Sequence, residues 1–208
     1  MRILHRAMRG DLHRLVELTG DIGAGRDIVG LARAAALAGF ISDVCHAIHL
    51  HHTREDSITW PLIESSAGAA VDLTDLSDDH SGLDPMLDVL RAAAHSFAAN
   101  PSDVSKLATS VRQLSEHLDE HIEEEERRIF PVIEKYVSAE DWKKSEDVIG
   151  KQSTMKEIRF DLAWVDRYAT REEMAQLRKI TGPALAILMP LLRPGHRRRQ
   201  RVVFGASA

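Results

Sequence analysis

The sequence predicts an all-α protein, an up-down antiparallel four-helix bundle with a C-terminal helical extension. Three observations support this fold class. Glycine is sparse, with 12 residues in a chain of 208. Apolar residues recur three and four positions apart along most of the chain, which is the spacing of an amphipathic helix. The intervals between these segments are short, so successive helices are expected to be antiparallel neighbours.

The individual helices follow from local start and stop signals. The bundle helices are expected near 3–19, 28–60, 72–99 and 102–136. Glycines between Gly20 and Gly25 mark the first loop. Asn100-Pro101-Ser102 ends the third helix and starts the fourth, because proline suits the first turn of a helix. Ser138 is the expected N-cap of a fifth helix, and further helices are expected near 154–168 and 170–192.

The third helix has two possible starts, because Pro85 interrupts it. Proline lacks the backbone N–H of a helical hydrogen bond and clashes with the preceding turn, so it begins or kinks a helix. In the first alternative, Asp84-Pro85 begins a new helix and His80 lies in the preceding turn. In the second, a kinked helix begins earlier and includes His80.

The chain divides into three predicted parts: the bundle at 1–136, a helical extension at 137–192 and a basic tail at 193–208. The tail carries five arginines and no acidic residue between Arg193 and Arg201, whereas the rest of the chain is acidic. We expect a flexible, solubilising segment. Contact with a partner, an anionic membrane or a nucleic acid is the alternative for this tail.

Composition excludes several classes of protein. The net charge of −5 argues against a generally basic nucleic-acid binder, so no nucleic-acid partner is expected. Cys45 is the single cysteine, which rules out an intrachain disulfide and favours a reducing cytoplasm. The sequence contains no uninterrupted run of about 18 apolar residues, so no transmembrane helix is expected. The charged start is not typical of a signal peptide.

Histidine is unusually common, with 11 residues, and a repeat shows where some of them act. The segments 51–64 and 121–134, 70 positions apart, share the pattern H-x3-E-x4-(aromatic)-P-x-I-E. Residues four apart on a helix lie on one face, about 5–6 Å apart at Cβ. His51 with Glu55, and His121 with Glu125, can therefore reach a common metal ion. Imidazole and carboxylate together suit iron, and two carboxylates can bridge two metals.

Helical-wheel positions place both glutamates on apolar faces. At 100° per residue, Glu55 lies within roughly 10° of the centre of its apolar stripe and Glu125 within about 30°. His51 and His52 lie on either side of the stripe that contains Glu55. A buried carboxylate is costly unless it is neutralised, paired or bound to metal. Two such glutamates, each preceded by histidine at i−4, favour a metal site over a buried acid or an arginine pair.

The first and third helices are each expected to supply one ligand. His80 lies about 60° from the centre of the third apolar stripe. In the first helix His5 is preferred and His13 is the alternative. The remaining helix histidines are expected on the surface: His46, His49, His95 and His117.

In these residues the sequence resembles the hemerythrin HHE cation-binding family. The resemblance covers roughly 1–136 and rests on the order of motifs along four helices: His5-Arg6-Ala7, His51-His52 with Glu55-Asp56 before Trp60-Pro61, Asp79-His80, and His121-x3-Glu125 before Phe130-Pro131. It implies an up-down bundle around two non-haem iron ions joined by an oxo or hydroxo bridge. The segment 138–208 is similar to the C-terminal extension of longer bacterial members.

The resemblance also implies a role for each residue of the site. The implied terminal ligands are His5, His51, His80 and His121, and the implied bridging carboxylates are Glu55 and Glu125. His52 is a possible fifth histidine ligand. One departure stands out: oxygen-carrying hemerythrins have two histidines four residues apart in the third helix, whereas Asp84 stands four residues after His80 here. This departure argues against reversible oxygen carriage.

Two functions are compatible with these features. The first is a redox-active di-iron protein of oxidative or nitrosative stress defence that binds or reduces O2, NO or peroxide, with catalase-like activity as one form. The second is a metal-responsive or oxygen-responsive sensor without turnover, in which the site alters the packing of 138–208 against a partner. A purely structural metal fits less well, because structural sites are usually closed and rich in cysteine.

Overall fold

The computed structural model describes residues 1–181 and 183–205, with side chains described for 1–179 and 188–205. No strand occurs in these described residues. The helices are α1 (Arg2–Gly23), α2 (Leu31–Arg54), a π turn (Glu55–Thr59), α3 (Trp60–Ala67), a short 3₁₀ helix (Gly68–Ala70), α4 (Thr74–Ala99), α5 (Ser105–Tyr136), α6 (Ala139–Gln152), α7 (Met155–Tyr168), α8 (Arg171–Thr181) and α9 (Pro183–Phe204).

Helices α1, α2, α4 and α5 form the predicted four-helix bundle. Helix α1 packs against α5, α2 packs against α4, and α4 packs against α5. Their apolar stripes meet in one core, whose fully buried side chains include Leu12, Leu15, Ile41, Leu87 and Leu118. The all-α fold class is confirmed, and the core supports a polar cluster that is described below.

The extension packs against the bundle through α7 and α9. Helix α7 contacts α1, and α9 contacts both α2 and α7. The contact with α1 centres on Asp11, whose buried carboxylate accepts hydrogen bonds from the Trp164 indole and the Tyr168 hydroxyl. Gly10 makes this approach possible, since a Cβ at that position would overlap the Tyr168 ring.

The expectation of a flexible basic tail is wrong, because residues 193–204 lie in α9. Val203 is fully buried, and the Phe204 ring lies 5.4 Å from that of Phe40. Arg199 binds Asp43 of α2, with 2.7 Å between Nη1 and Oδ2. A long arginine side chain can cover apolar surface while its charged end is paired. Arginine-rich composition therefore does not prevent this segment from docking.

The predicted helix at 28–60 is interrupted by the π turn at Glu55–Thr59. A π turn adds a residue to one helical turn, and such turns are frequent at functional sites. The buried face shifts accordingly: Thr59 and Ile63 are buried, whereas Ile58 and Leu62 are only half-buried.

Other helix boundaries lie closer to the predicted ones. Helix α1 continues through Gly20 to Gly23, so the first loop begins later than predicted. Pro85 lies inside α4, which begins at Thr74, so the second alternative for this segment is correct and His80 is helical. Ser138 is the N-cap of α6, as predicted, since its Oγ accepts the Asp141 backbone N–H at 3.1 Å.

Among the described residues, the stretch Leu31–Ala70 is long and apolar enough to cross a membrane by length and composition alone. A core helix of a soluble protein passes the same test. The apolar face of this stretch lies inside the bundle, where Leu37, Ile41 and Ile48 are buried. The stretch is therefore weak evidence for a membrane span.

Candidate metal centre

The seven residues predicted as metal ligands come together inside the bundle. They are His5 from α1, His51 and His52 from α2, Glu55 from the π turn, His80 from α4, and His121 and Glu125 from α5. Six of them are at most 5% exposed, and the side chain of His51 is 10% exposed. A cluster of five imidazoles and two carboxylates is thus shielded from solvent.

Four of these residues, His5, His51, Glu55 and Glu125, form what we call the two-histidine group. The Nε2 atoms of His5 and His51 lie 3.0 Å apart. His5 Nε2 lies 3.5 Å from Glu125 Oε2, and His51 Nε2 lies 2.9 Å from Glu55 Oε1. One potential ligand atom of each residue lies within 4.8 Å of those of the others. The group can therefore surround one cation.

The other three residues, His52, His80 and His121, form the three-histidine group. The Nε2 atoms of His80 and His121 lie 3.1 Å apart. The His52 ring lies 4.5 Å from the His80 ring and 5.2 Å from the His121 ring, measured between centroids. Their ligand atoms also lie within 4.8 Å of one another. A second cation can be held here.

Glu55 faces both groups. Its Oε1 lies 2.9 Å from His51 Nε2 in the two-histidine group, and its Oε2 lies 3.8 Å from His80 Nε2 in the three-histidine group. The two oxygens of one carboxylate are thus directed at different sets of imidazoles. A carboxylate placed in this way can bridge two metal ions.

Carboxylates outside the cluster orient the imidazoles. His5 Nδ1 lies 2.9 Å from Glu126 Oε1, and His80 Nδ1 lies 2.9 Å from Asp56 Oδ1. His121 Nδ1 lies 3.6 Å from Asp79 Oδ2, which is within ion-pair distance but too long for a hydrogen bond. An Nδ1–H that donates to a carboxylate leaves the Nε2 lone pair free, and this arrangement is typical of metal-binding histidine. In each case Nε2 points into the cluster.

Several polar atoms of the cluster lack a hydrogen-bond partner. Both ring nitrogens of His52 and both carboxylate oxygens of Glu125 are buried and unpaired. Burying such atoms without partners is costly, because each loses its hydrogen bonds to water. A set of imidazole nitrogens and carboxylate oxygens suits iron, whereas structural zinc sites are usually rich in thiolates. The residues present therefore fit a pair of metal ions.

Comparison with protein families matches the chain to the hemerythrin HHE cation-binding domain over residues 1–133 and again over 74–180. The chain belongs to the hemerythrin HHE cation-binding domain family. The first match spans α1 to α5, which carry the whole cluster, and the second continues through the extension into α8. No curated protein and no solved structure gives a significant match.

The charges of the metal-free hemerythrin-like site oppose one another. Burial, together with the nearby Glu55 carboxylate, raises the pKa of Glu125 to about 8. Burial would also raise the pKa of Glu55, but His51, His5 and His52 outweigh it and hold that pKa well below its usual range. Burial lowers the pKa of His52 well below its usual value. Bound cations would relieve these conflicts, since they favour carboxylate and neutral imidazole.

Aromatic side chains cover the cluster. The Trp60 ring stacks on His80 with centroids 6.0 Å apart, and the Phe130 ring stacks on His5 at 5.9 Å. The Arg2 guanidinium lies 4.1 Å above the outer side of the Phe130 ring system. Both aromatic residues are buried. They cover one face of the His80 ring and one face of the His5 ring.

A cavity of about 500 Å³ reaches the cluster between the bundle and the extension. His51 and Glu55 line the end that belongs to the two-histidine group. Trp142 of α6 and Trp164 of α7 line the remainder, together with Asp161. The lining is mainly apolar. The hemerythrin-like bundle and its extension thus enclose this cavity jointly, which the sequence did not predict.

The other histidines lie apart from the cluster. His13, the alternative first-helix ligand, is half-exposed and pairs with Asp119 at 2.6 Å between Nε2 and Oδ2. His49 Nδ1 lies 2.7 Å from Asp84 Oδ1 at the surface, so Asp84 does not face the cluster. The proximity of Asp79 to His121 was not predicted. Its position directly before His80 in the sequence is a signal that could have indicated it.

Proposed function

We propose that this protein is a non-haem di-iron protein that binds and reduces O2, NO or peroxide. Glu55 and Glu125 would bridge two irons, His5 and His51 would complete one site, and three further histidines would complete the other. When bound, the two irons would supply electrons to a small ligand. The observation that carries the proposal is the unequal division of the imidazoles, combined with a cavity on the side that has fewer imidazoles.

The three-histidine group offers one more imidazole than the two-histidine group. With both glutamates shared between the two irons, the two-histidine side would therefore have one protein ligand fewer. Catalytic metal sites keep a coordination position open for a ligand, whereas structural sites are closed by the protein. The cavity reaches His51 and Glu55, which belong to the two-histidine group. This side is therefore where we place the external ligand.

The protein's own residues would control access and protons. Trp60 and Phe130 each cover one face of an imidazole, and the cavity reaches His51 and Glu55, so we place ligand entry at the cavity. Glu126 and Asp56 would hold two imidazoles with Nε2 towards the metals. Asp161 lines the cavity, and burial raises the pKa of its carboxyl to about 6. It can therefore supply a proton to a reduced ligand near neutral pH.

Catalase-like decomposition is the simplest activity of this kind. One peroxide is oxidised to O2 while another is reduced to water, so no external reductant is required. Net reduction of NO or O2 would consume electrons from an external reductant.

A sensor is the second candidate, and one observation favours it. The extension forms part of the cavity wall through Trp142 and Trp164, so a change at the metal centre could alter how the extension docks. Turnover distinguishes the two functions. Consumption of peroxide or NO beyond stoichiometric amounts indicates an enzyme. Binding without turnover, with altered protease cleavage near Arg193, indicates a sensor.

Metal analysis of aerobically purified protein tests the proposal. We expect about two irons per chain, with a near-ultraviolet absorption that changes on addition of peroxide or NO. The double variant Glu55→Ala, Glu125→Ala should lose the iron, and Glu55→Gln, Glu125→Gln should do so with a smaller change of shape. His95→Ala, an exposed site, is the matched control. Full iron loading in a folded double variant would refute the proposal.

A further inference from the structure

Helices α7 and α9 enclose a second pocket, of about 350 Å³. Ala163 and Arg167 of α7 line it, whereas Asp161 and Trp164 of the same helix line the cavity at the metal centre. The two spaces therefore use different faces of α7. A volume of this size lies at the lower end of the range of about 300–1,000 Å³ found for small-molecule sites.

The pocket, which we call the arginine pocket, is strongly basic. It contains four arginines: Arg167, Arg193, Arg197 and Arg201. The single carboxylate in its lining is Asp166, which already binds Arg193 through two contacts of 2.7 and 2.6 Å. No carboxylate of the described residues pairs with Arg197 or Arg201. These positive charges repel one another unless an anion lies between them.

The arginines and their neighbours share one face of α9. Arg193, Arg197 and Arg201 are spaced four residues apart, as are His196 and Gln200. Side chains at this spacing lie one above the other on a helix. This face lines the pocket, with Arg197 and Arg201 exposed and Gln200 buried.

Gln200 supplies a buried donor that has no partner among the described residues. Its side chain is 2% exposed, and its Oε1 accepts a hydrogen bond from Arg14 Nη1 at 2.7 Å. This bond fixes the orientation of the amide, because arginine can only donate. Gln200 Nε2 is consequently directed away from Arg14, and it is buried without a hydrogen-bond partner. Nε2 of His196, in the same lining, is also buried and unpaired.

We propose that the arginine pocket binds a small phosphorylated molecule. Phosphate oxygens only accept hydrogen bonds, and planar guanidinium groups bind them in pairs. The Gln200 amide and the His196 ring would complete the set of donors. The pocket is larger than a bare oxyanion requires, so the phosphate is expected on an organic group. A soluble molecule fits better than a membrane surface, because Gln200, which lines the pocket, is buried.

Calorimetric titration of the full-length, iron-loaded protein tests this assignment, with inorganic phosphate, pyrophosphate and ADP as probes. We expect saturable binding of one molecule per chain, tightest for ADP or pyrophosphate. The variant Arg197→Gln, Arg201→Gln should weaken binding by about tenfold or more. Arg198→Gln removes the same charge from an exposed position of α9 outside the pocket, and should leave the affinity unchanged.

Three results would overturn the assignment: no saturable binding of any probe, equal weakening by Arg198→Gln, or binding only to vesicles of anionic phospholipid. The variant Gln200→Glu gives a second test, since it replaces the buried donor by an acceptor and should abolish binding in protein that retains its helical circular dichroism. Iron content serves as an independent readout. It should not change in these variants, so failure of this site is distinguishable from failure of the metal centre.

Discussion

The imidazole of His52 lies beside that of His80, with 4.5 Å between the ring centroids. His52, which lies in α2, is thus the third ring of the three-histidine group. Helix α4 does not supply it, because Asp84, one turn after His80, interacts with His49 at the surface. The departure from the oxygen-carrying hemerythrins in the third bundle helix is thus accompanied by an extra histidine in the second.

His52→Ala tests whether this ring binds metal. The variant should retain the two-histidine group and lose about one iron per chain, because the other group would keep only two imidazoles. Iron content by atomic emission, measured alongside protein concentration, reports the loss. His95→Ala removes an exposed imidazole and should keep full loading. Unchanged loading in folded His52→Ala protein would assign His52 to packing alone.

Glu126 is expected to strengthen metal binding without touching the metal. Its carboxylate lies 2.9 Å from His5 Nδ1 and holds the ring with Nε2 inward. Loss of such an orienting partner typically reduces metal affinity by about 10–100-fold. We expect this reduction for Glu126→Ala in competition with a chelator. Glu123→Ala, on the exposed face of the same helix, should behave as the parent protein; equal affinities in both variants would contradict the orienting role.

The helical period suffices to predict the interior position of Glu55 and Glu125. Each lies near the centre of an apolar stripe, and a regular helix carries this relationship directly into the bundle. The division of His51 and His52 between two groups could not be predicted. It depends on how α4 and α5 pack against α2, and on the π turn that begins at Glu55. A uniform 100° step contains neither contribution.

The docking of the extension is the other feature that the sequence pattern does not reveal. Arg199 belongs to a run that resembles a solvated tail, yet it pairs with Asp43 while Val203 is fully buried. These contacts join residues more than 150 positions apart. Composition and local periodicity report which residues are apolar, but they do not report which distant surface will cover them.

Asp11 is expected to be a main contributor to docking of the extension. Its fully buried carboxylate accepts hydrogen bonds from Trp164, Tyr168 and Arg14. Asp11→Ala leaves three buried or half-buried donors without this acceptor, so we expect it to lower the free energy of unfolding by about 3–5 kcal/mol. Urea denaturation measures the change, and limited proteolysis should show faster cleavage within α7 to α9.

Asp21→Ala is the matched control for Asp11. Asp21 lies on the same helix and pairs with Arg26 at the surface, where both side chains are about half-exposed or more. A surface pair of this kind contributes at most about 1 kcal/mol. Equal destabilisation by the two variants would show that the buried network does not hold the extension in place.

Asp161 should make the stability of the metal-free protein depend on pH. Burial raises the pKa of its carboxyl from 3.8 to about 6, so the folded state binds this proton more tightly than the unfolded state does. Ionisation of this carboxyl therefore lowers the free energy of unfolding progressively as the pH rises from about 4 to about 6. Asp161→Asn should be more stable than the parent by up to about 3 kcal/mol above this range, and equal to it below.

Urea denaturation of the parent and the variant at several pH values measures this difference. Because both proteins contain the same histidines, the contribution of histidine titration to stability cancels in the comparison. Asp43→Asn is the control of opposite sign. Although burial opposes ionisation of Asp43, hydrogen bonds from Arg199 and Lys156 outweigh it and lower its pKa. That carboxylate adds stability above its unfolded pKa and loses the contribution as the pH falls, so Asp43→Asn should be less stable at neutral pH. A gain for Asp161→Asn that is the same at every pH would exclude ionisation of this carboxyl as its cause.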